Sequence, residues 1–193
     1  MAAYPCYSAH KCSTKGRECT LGRPPARPPE KKGEIMAGAL VWEGCSGGVG
    51  GSAFDDNEGG ADLRNCRVLA IRIRSGAWID AIQTTVQNKD TGQVTDLPRH
   101  GGGGGGENVI SVSPNQFVSQ IFGGRDTLVR SMSIRLMDND GNQQLHGPFG
   151  GGGSKNYQYD TPHFPNNDNT IIGFWGSWGA FLDEIGVIVL RPR

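Results

Sequence analysis

Short runs of aliphatic residues, separated by glycine-rich segments, dominate the chain after Met36. Within several of these runs, apolar side chains alternate with polar or small ones, which is the pattern of half-buried β-strands. No stretch keeps apolar residues at the three- and four-residue spacing of an amphipathic helix over a dozen positions. We therefore predict an all-β fold, with strands at Val68–Ile73, Ile79–Val86, Val109–Val112, Leu128–Leu136 and Ile185–Leu190.

Glycine is concentrated in three clusters. It supplies 31 of the 193 residues, about twice its usual share of roughly 7%. The clusters are Gly47–Gly51, Gly101–Gly106 and Gly150–Gly153, and they begin 54 and 49 residues apart. A period of about fifty residues, present three times, predicts three structural repeats rather than three unrelated flexible loops.

A second motif occurs twice, at Gly76–Asp80 and at Gly179–Asp183. Each copy reads Gly-Ala-aromatic-aliphatic-Asp. The glycine lets the chain bend so that backbone N–H groups point outward, and the aspartate offers two acceptor oxygens beside them. Donors and acceptors on one small loop suit the vicinal hydroxyls of a sugar, and bonds to the carboxylate are the stronger ones. An aspartate that caps its own turn is the structural alternative, but the repetition favours a binding site.

These segments together resemble the jacalin-related lectin family, of the mannose-binding kind. The resemblance covers about residues 38–191. It implies no enzymatic activity and a β-prism I fold, which has three four-stranded Greek-key sheets with pseudo-three-fold symmetry. The matching stretches are Gly47–Asp56, Ser75–Ile82, His100–Gly106, Gly147–Gly153 and Ile172–Val189.

The resemblance also implies two metal-independent sugar sites per chain, each built from a glycine loop and a GxxxD loop. In the family, the aspartate and nearby amides hold a hexose through its O4, O5 and O6 atoms. The first site is predicted at Gly50, Gly51, Gly179, Ala180, Phe181 and Asp183. The second site is predicted at Gly105, Gly106, Gly76, Ala77, Trp78 and Asp80. Near the third glycine cluster, Asp126 follows Gly123 by three residues instead of four, so we expect no third site.

The first glycine loop bears on which sugar is bound. Galactose-binding members of the family are cut there and expose a free amino terminus, whereas here Val41–Cys45 runs uninterrupted into Gly47. We therefore expect glycans that contain mannose or glucose as partners, bound by a homodimer or a higher homo-oligomer. The alternative is a non-catalytic interaction or structural module whose sugar sites have lapsed or have galactose-type specificity.

Other classes of function are disfavoured. A glycoside hydrolase needs two carboxylates about 5–10 Å apart at one bond, whereas Asp80 and Asp183 belong to different repeats. The 19 basic and 19 acidic residues balance, which argues against nucleic-acid binding. No apolar run reaches the roughly 18 residues of a membrane span, so we expect no membrane insertion. No apolar h-region is visible at the N-terminus. We therefore expect either a cytoplasmic protein or a secreted one that begins after processing.

Residues 1–36 differ in composition from residues 37–193. They hold five of the eleven prolines, with seven basic and three acidic residues. Such a segment does not fold alone, so we predict an irregular, basic extension followed by a lectin domain.

The cysteines and histidines do not point to one chemistry. The five cysteines are Cys6, Cys12, Cys19, Cys45 and Cys66. Free thiols in the extension, disulfides within it or from it to the domain, and a metal site with His10 all stay open. We expect no cofactor. The other histidines lack metal-ligand spacing, and we interpret them as surface residues: His100, His146 and His163.

Overall fold

The structure is a computed structural model, and it describes residues 38–151, 157–165 and 169–191. Almost all of the secondary structure in these residues is β-strand. Two short 3-10 helices, Asp56–Glu58 and Leu63–Asn65, connect β2 to β3. The strands are β1 (Ala39–Gly47), β2 (Ser52–Asp55), β3 (Cys66–Ser75), β4 (Ile79–Asn88), β5 (Val94–Asp96), β6 (His100–Gly101), β7 (Gly106–Ser111), β8 (Gln116–Arg125), β9 (Ser131–Asp138), β10 (Gln143–Gly150), β11 (Tyr157–Asp160), β12 (Thr170–Trp178) and β13 (Leu182–Arg191).

The strands form three antiparallel sheets. The first has the order β2-β12-β13-β1, and the third has the order β11-β8-β9-β10. In the second, β7, β3 and β4 are neighbours, and β5 and β6 pair with different parts of β4 as one interrupted strand. Within the described residues, one pair, Ile171 with Val118, joins β12 of the first sheet to β8 of the third. This arrangement is a β-prism, and it confirms the all-β prediction with three repeats.

The alternation of side chains explains why each sheet closes around a core. In β3, Ile71 and Ile73 are fully buried, whereas the arginines of the same strand, Arg72 and Arg74, are only partly buried. The same inward stacking of aliphatic side chains occurs in β9 and β13, where Ile134 and Val187 have no exposed surface. Burying one such side chain contributes about 1.5–3 kcal/mol, so the prism axis is the main source of stability.

The three central hairpins meet at one end of the prism. Each sheet contributes one hairpin: β3–β4, β8–β9 and β12–β13. The backbone N–H of Ile79 donates to the Val129 carbonyl at 3.1 Å, and the N–H of Val129 donates to the Leu182 carbonyl at 2.9 Å. In the first and second sheets a glycine-rich segment joins the two outer strands and therefore crosses the tip of its own hairpin. This crossing places the repeated sequence motifs next to one another.

The predicted strand segments correspond to observed strands, with one exception. The first residues of the predicted Leu128–Leu136 strand belong to the tip of the β8–β9 hairpin, and β9 begins only at Ser131. The five segments are examples and include neither β8 nor β12. Both strands contain glycines (Gly123 and Gly124 in β8, Gly173 and Gly176 in β12), which interrupt the alternation of apolar residues.

The interpretation of His100 as a surface residue was wrong. Its exposed fraction is 7%, and its ring stacks on Phe54 with the ring centroids 4.1 Å apart. Its Nε2 lies 2.9 Å from Oδ1 of the buried Asp56. The other oxygen of that carboxylate accepts from the Thr84 hydroxyl at 2.9 Å and from the Phe174 N–H at 3.0 Å. One buried carboxylate thus ties the first sheet to the second, immediately before the second glycine loop.

Two cysteines lie in the described part of the chain. Cys66 is a buried free thiol, and Cys45 is disulfide-bonded. The other three cysteines and the predicted extension at residues 1–36 lie outside the described residues. Among the residues that are described, no helix has the length and apolar character needed to cross a membrane.

Candidate functional site

The first glycine loop lies over the carboxylate of Asp183. The loop is anchored by a hydrogen bond of 3.0 Å from the Gly48 N–H to the Asp183 carbonyl. A Cβ atom at Gly51 would overlap Asp183 Oδ2, and one at Gly50 would lie 3.9 Å from the carboxylate carbon. The φ angle of Gly51 is +66°, which other residues rarely adopt. The structure thus brings together the predicted first-site residues, although about 130 positions separate them in the sequence.

The second glycine loop lies over Asp80 in the same way. The Gly102 N–H donates to the Asp80 carbonyl at 2.9 Å. A Cβ at Gly104 would overlap Asp80 Oδ1, and one at Gly105 would lie 2.6 Å from Oδ2. Gly106 has no atom within 4 Å of its Cβ position. The loop residues closest to the carboxylate are therefore Gly104 and Gly105, one position earlier in the chain than the predicted pair.

Unused backbone donors flank both carboxylates. The N–H groups of Gly76 and Gly179 close their own turns by donating to the carbonyls of Trp78 and Phe181, at 3.0 and 2.9 Å. The next two N–H groups of each turn have no acceptor within the described part of the chain. They belong to Ala77 and Trp78 in one turn and to Ala180 and Phe181 in the other. Each hairpin tip therefore presents two free donors beside one carboxylate.

The β8–β9 hairpin has the same backbone but a different chemistry. Its Asp126 N–H donates to the Leu128 carbonyl at 3.0 Å, so Asp126 occupies the position that Gly76 and Gly179 hold in the other two hairpins. Its side chain then accepts from the Leu128 N–H at 3.0 Å. The Leu128 N–H occupies the place of a donor that is free in the other two hairpins, and it is already bonded to a carboxylate of the chain itself.

The carboxylate position of this third hairpin is occupied by a cation. Counting four residues from Asp126, as from Gly76 to Asp80, gives Arg130. The Arg130 side chain pairs with the Asp126 carboxylate, and this pairing lowers the pKa of Asp126. The described part of this hairpin thus has an ion pair where the other two have a free carboxylate, and the absence of a third site stays a prediction.

The aromatic rings of the two motifs pack against each other. The rings of Trp78 and Phe181 meet edge to face, with their centroids 4.8 Å apart, and the Arg130 guanidinium lies 5.1 Å from the Trp78 ring centroid. Both rings are half-buried at the prism end. Their role is to hold the three hairpin tips together.

The two carboxylates have different surroundings. Asp80 is buried, with an exposed fraction of 5%. Asp183 is more accessible, and desolvation by burial still raises its pKa. Beside it, Val49 at the tip of the first glycine loop is fully exposed, whereas the matching position of the second loop is Gly103. Within the described residues no group of three or more His, Cys, Asp and Glu side chains is arranged to hold a metal ion.

Arg74 is a residue of the second site that the sequence analysis missed. Its Nε and Nη2 donate to the carbonyls of Gly104 and Gly105 at 2.9 and 2.8 Å. The guanidinium also lies 3.6 Å from the Glu107 carboxylate. Arg74 thus fixes a loop of consecutive glycines that would otherwise be highly flexible. No sequence motif marks this role, because it depends on β3 lying beside the loop in the folded protein.

Comparisons with known proteins agree with this architecture. The model of the jacalin-like lectin domain family matches residues 43–188. Horcolin from Hordeum vulgare is 30% identical over 148 residues, which span 74% of this chain and 92% of horcolin. Jacalin-related lectin 19 from Arabidopsis thaliana is 30% identical over 160 residues, covering 79% of this chain and 82% of that protein.

Solved structures show the same fold. A mannose-binding jacalin-related lectin from Ananas comosus superposes with a TM-score of 0.63 at 27% identity, covering 80% of this chain and 99% of the lectin. Malaysian banana lectin gives a TM-score of 0.63 at 26% identity, covering 80% of this chain and all of the lectin. With its β-prism and its family match over three quarters of its length, the chain belongs to the jacalin-like lectins, which are non-enzymatic carbohydrate-binding proteins.

Proposed function

We propose that this chain binds glycans containing mannose or glucose at two metal-independent sites per chain. The first site consists of Asp183, the Ala180 and Phe181 N–H groups and the loop at Gly50 and Gly51. The second consists of Asp80, the Ala77 and Trp78 N–H groups and the loop at Gly104 and Gly105. The observation that carries the proposal is a carboxylate beside two free N–H donors under a glycine loop, repeated in two hairpins.

The chemistry follows from this set of donors and acceptors. An ionised carboxylate accepts two hydroxyl protons at once, so it bridges the O4 and O6 hydroxyls of a hexose. The two N–H groups donate to the ring oxygen O5 and to O6. The glycine loop brings a further backbone amide to O3 or O4, because the missing side chains leave room for the sugar. Direct contacts satisfy all these groups, and no metal ion is needed.

Two observations support mannose or glucose over galactose. The backbone continues through β1, Ala39–Gly47, into the first glycine loop, so no free amino terminus lies at the first site. The structural relative from Ananas comosus is a mannose-binding lectin. Because galactose has the opposite configuration at O4, a carboxylate placed for an equatorial O4 hydroxyl discriminates against it.

A single hexose site on an open surface binds its sugar weakly, and several sites in one assembly bind a branched glycan more tightly. We propose that the chain assembles as a homodimer or a higher homo-oligomer, which multiplies the two sites and increases avidity for branched glycans. Light scattering of the full chain measures the assembly state, and a monomeric mass at micromolar concentration contradicts this part of the proposal.

Single substitutions of the carboxylates test the two sites. Asp80→Asn and Asp183→Asn each leave one acceptor oxygen where the carboxylate had two, and they remove the charge. Hydrogen bonds to charged groups contribute about 1.5–3 kcal/mol, so the affected site should weaken about tenfold or more. Calorimetric titration with methyl α-mannoside should give two sites per chain for the unsubstituted protein and one for each variant.

Three controls accompany this titration. Asp138→Asn removes an exposed carboxylate from the β9–β10 turn, far from both glycine loops, and should not alter sugar binding. EDTA should leave all affinities unchanged. The proposal fails if the double variant binds as well as the unsubstituted protein, or if binding is lost with EDTA and restored by calcium.

A further inference from the structure

A pocket of about 180 Å³ lies at the end of the prism away from the sugar sites. It opens where β3, the β7–β8 connection and β12 begin, whereas the second sugar site lies at the other end of β3. With a rise of about 3.3 Å per residue, the length of β3 separates the two places by roughly 30 Å. A cavity of about 150 Å³ accommodates benzene, so a ligand of that size fits.

One part of the pocket wall is cationic. Arg67 and Lys89 both line it, and Lys89 lies at its exposed side. Arg67 Nε donates to Gln87 Oε1 at 3.0 Å, whereas its Nη1 is buried without a hydrogen-bond partner. A buried donor without an acceptor costs free energy, and the cost is larger for a charged group. Within the described residues Nη2 makes no hydrogen bond either, so the guanidinium favours an additional acceptor.

The carboxylates near these two cations are engaged elsewhere. Asp62 lies 3.5 Å from Arg64, and Asp90 accepts from the Asn65 side-chain amide at 2.6 Å. Within the described ranges, neither Arg67 nor Lys89 forms an ion pair. Among the described residues, the two positive charges of the pocket therefore have no ion-pair partner.

The rest of the wall is apolar. It is formed mainly by the side chains of Val68, Phe117, Val118 and Ile172, all of which are buried. The Cys66 thiol also lines the pocket, and burial, followed by the charge of Asp62, raises its pKa. A neutral thiol adds no negative charge, so the pocket wall apart from the two cations is uncharged and mainly apolar.

We propose that this pocket is a second ligand site, separate from the sugar sites, for a small carboxylate that carries a compact apolar group. The planar guanidinium of Arg67 matches a carboxylate in geometry, and neither of its two Nη atoms has a hydrogen-bond partner in the described residues. Lys89 adds charge at the mouth. The apolar group packs on Phe117 and Val118. Inorganic phosphate lacks this apolar part, and a neutral aromatic compound lacks the charge, so neither fits as well.

Benzoate is the probe, and the full isotope-labelled chain is the receptor. Titration followed by amide NMR shifts should show saturable changes at Cys66, Arg67 and Val118. It should show none at Ala77 or Ala180 in the hairpin tips. Benzyl alcohol should bind at least about tenfold more weakly, because it loses a hydrogen bond between charged groups. Inorganic phosphate should also bind at least about tenfold more weakly, because it buries no apolar group.

Two substitutions and a matched control complete the test. Arg67→Met keeps the aliphatic length and should weaken benzoate binding about tenfold or more. Lys89→Met, at an exposed position, should weaken it by a smaller factor. Arg72→Met removes a neighbouring arginine of β3 that pairs with Asp96 outside the pocket, and it should leave benzoate binding unchanged.

The sugar titration separates failure of this proposal from failure of the proposed function. All three variants should bind methyl α-mannoside normally, which also shows that they fold. The pocket proposal is overturned if benzoate causes no saturable shift. It is equally overturned if Arg67→Met and the unsubstituted chain bind benzoate alike, or if the shifts fall at the hairpin tips.

Discussion

Replacement of Arg74 by methionine should weaken one sugar site and spare the other. Arg74 is the side chain that ties the second glycine loop to β3, through hydrogen bonds of 2.9 and 2.8 Å to the Gly104 and Gly105 carbonyls. The first loop has no such arginine on its own hairpin, because its strand β12 ends in Ser177 and Trp178. The change therefore discriminates between the sites within a single chain.

The expected loss of sugar affinity follows from the glycine loop that Arg74 no longer holds in place. Hydrogen bonds from a charged donor contribute about 1.5–3 kcal/mol when buried, and less where water competes. The Arg74 side chain is 24% exposed, so the lower end of that range applies. Without the arginine, Gly104 and Gly105 must be ordered when the sugar binds, at about 1 kcal/mol or more each. A loss of about 2 kcal/mol corresponds to roughly 30-fold weaker binding at the second site.

Site-resolved titration measures this directly. Amide NMR with methyl α-mannoside reports on the second site through Ala77 and on the first through Ala180. Arg72→Met is the matched control, since this arginine lies two residues earlier on β3 and contacts Thr85 and Asp96 instead of the loop. The reasoning is refuted if Arg74→Met leaves the second site unchanged, or if both sites weaken equally.

Three further predictions concern pH, the extension and the buried carboxylate. Because burial raises the pKa of Asp183, protonation should weaken the first site as the pH falls, beginning above the ordinary aspartate value of about 3.9. Affinity measured by amide shifts from about pH 7 to about pH 3 checks this, and a midpoint below the ordinary value of about 3.9 contradicts it. Deletion of residues 1–36 should leave the sugar affinity of the second site unchanged and change that of the first site modestly at most, through Cys45. Sugar titration of the truncated protein with and without reductant measures this, and loss of binding at both sites contradicts it. Asp56→Ala should lower the free energy of unfolding by about 3 kcal/mol or more, since it strands the buried partners of that carboxylate. Urea denaturation measures it, and a loss below about 1 kcal/mol counts against that network.

The fold was accessible from the sequence because its repeats leave local signals. Glycine loops at a period of about fifty residues and aliphatic runs between them are readable without contacts. The two hairpin motifs were recognisable for the same reason, since Gly, Ala, aromatic, aliphatic and Asp occur at fixed spacing. Their pairing with particular glycine loops came from the family resemblance, and the structure brings the same segments together.

The features that the sequence did not predict depend on contacts between distant segments of the chain. His100 looked like a loop residue, but its partner Asp56 lies 44 positions earlier and draws it into the interior. Arg74 was one arginine among several in β3 until the fold brought it to the loop carbonyls. In the third hairpin, Asp126 was compared with the aspartates of the other two. The backbone hydrogen bond shows instead that it occupies the glycine position and that Arg130 occupies the aspartate position.

A crystal structure from crystals soaked with methyl α-mannoside decides whether the chain has the two proposed sites. We expect two sugars per chain, one held by Asp183 with the Ala180 and Phe181 N–H groups, and one held by Asp80 with the Ala77 and Trp78 N–H groups. The third hairpin should stay empty, with its Asp126 and Arg130 side chains still paired. A sugar bound at that third hairpin, or a metal ion between the sugar and either of the two aspartates, would contradict it.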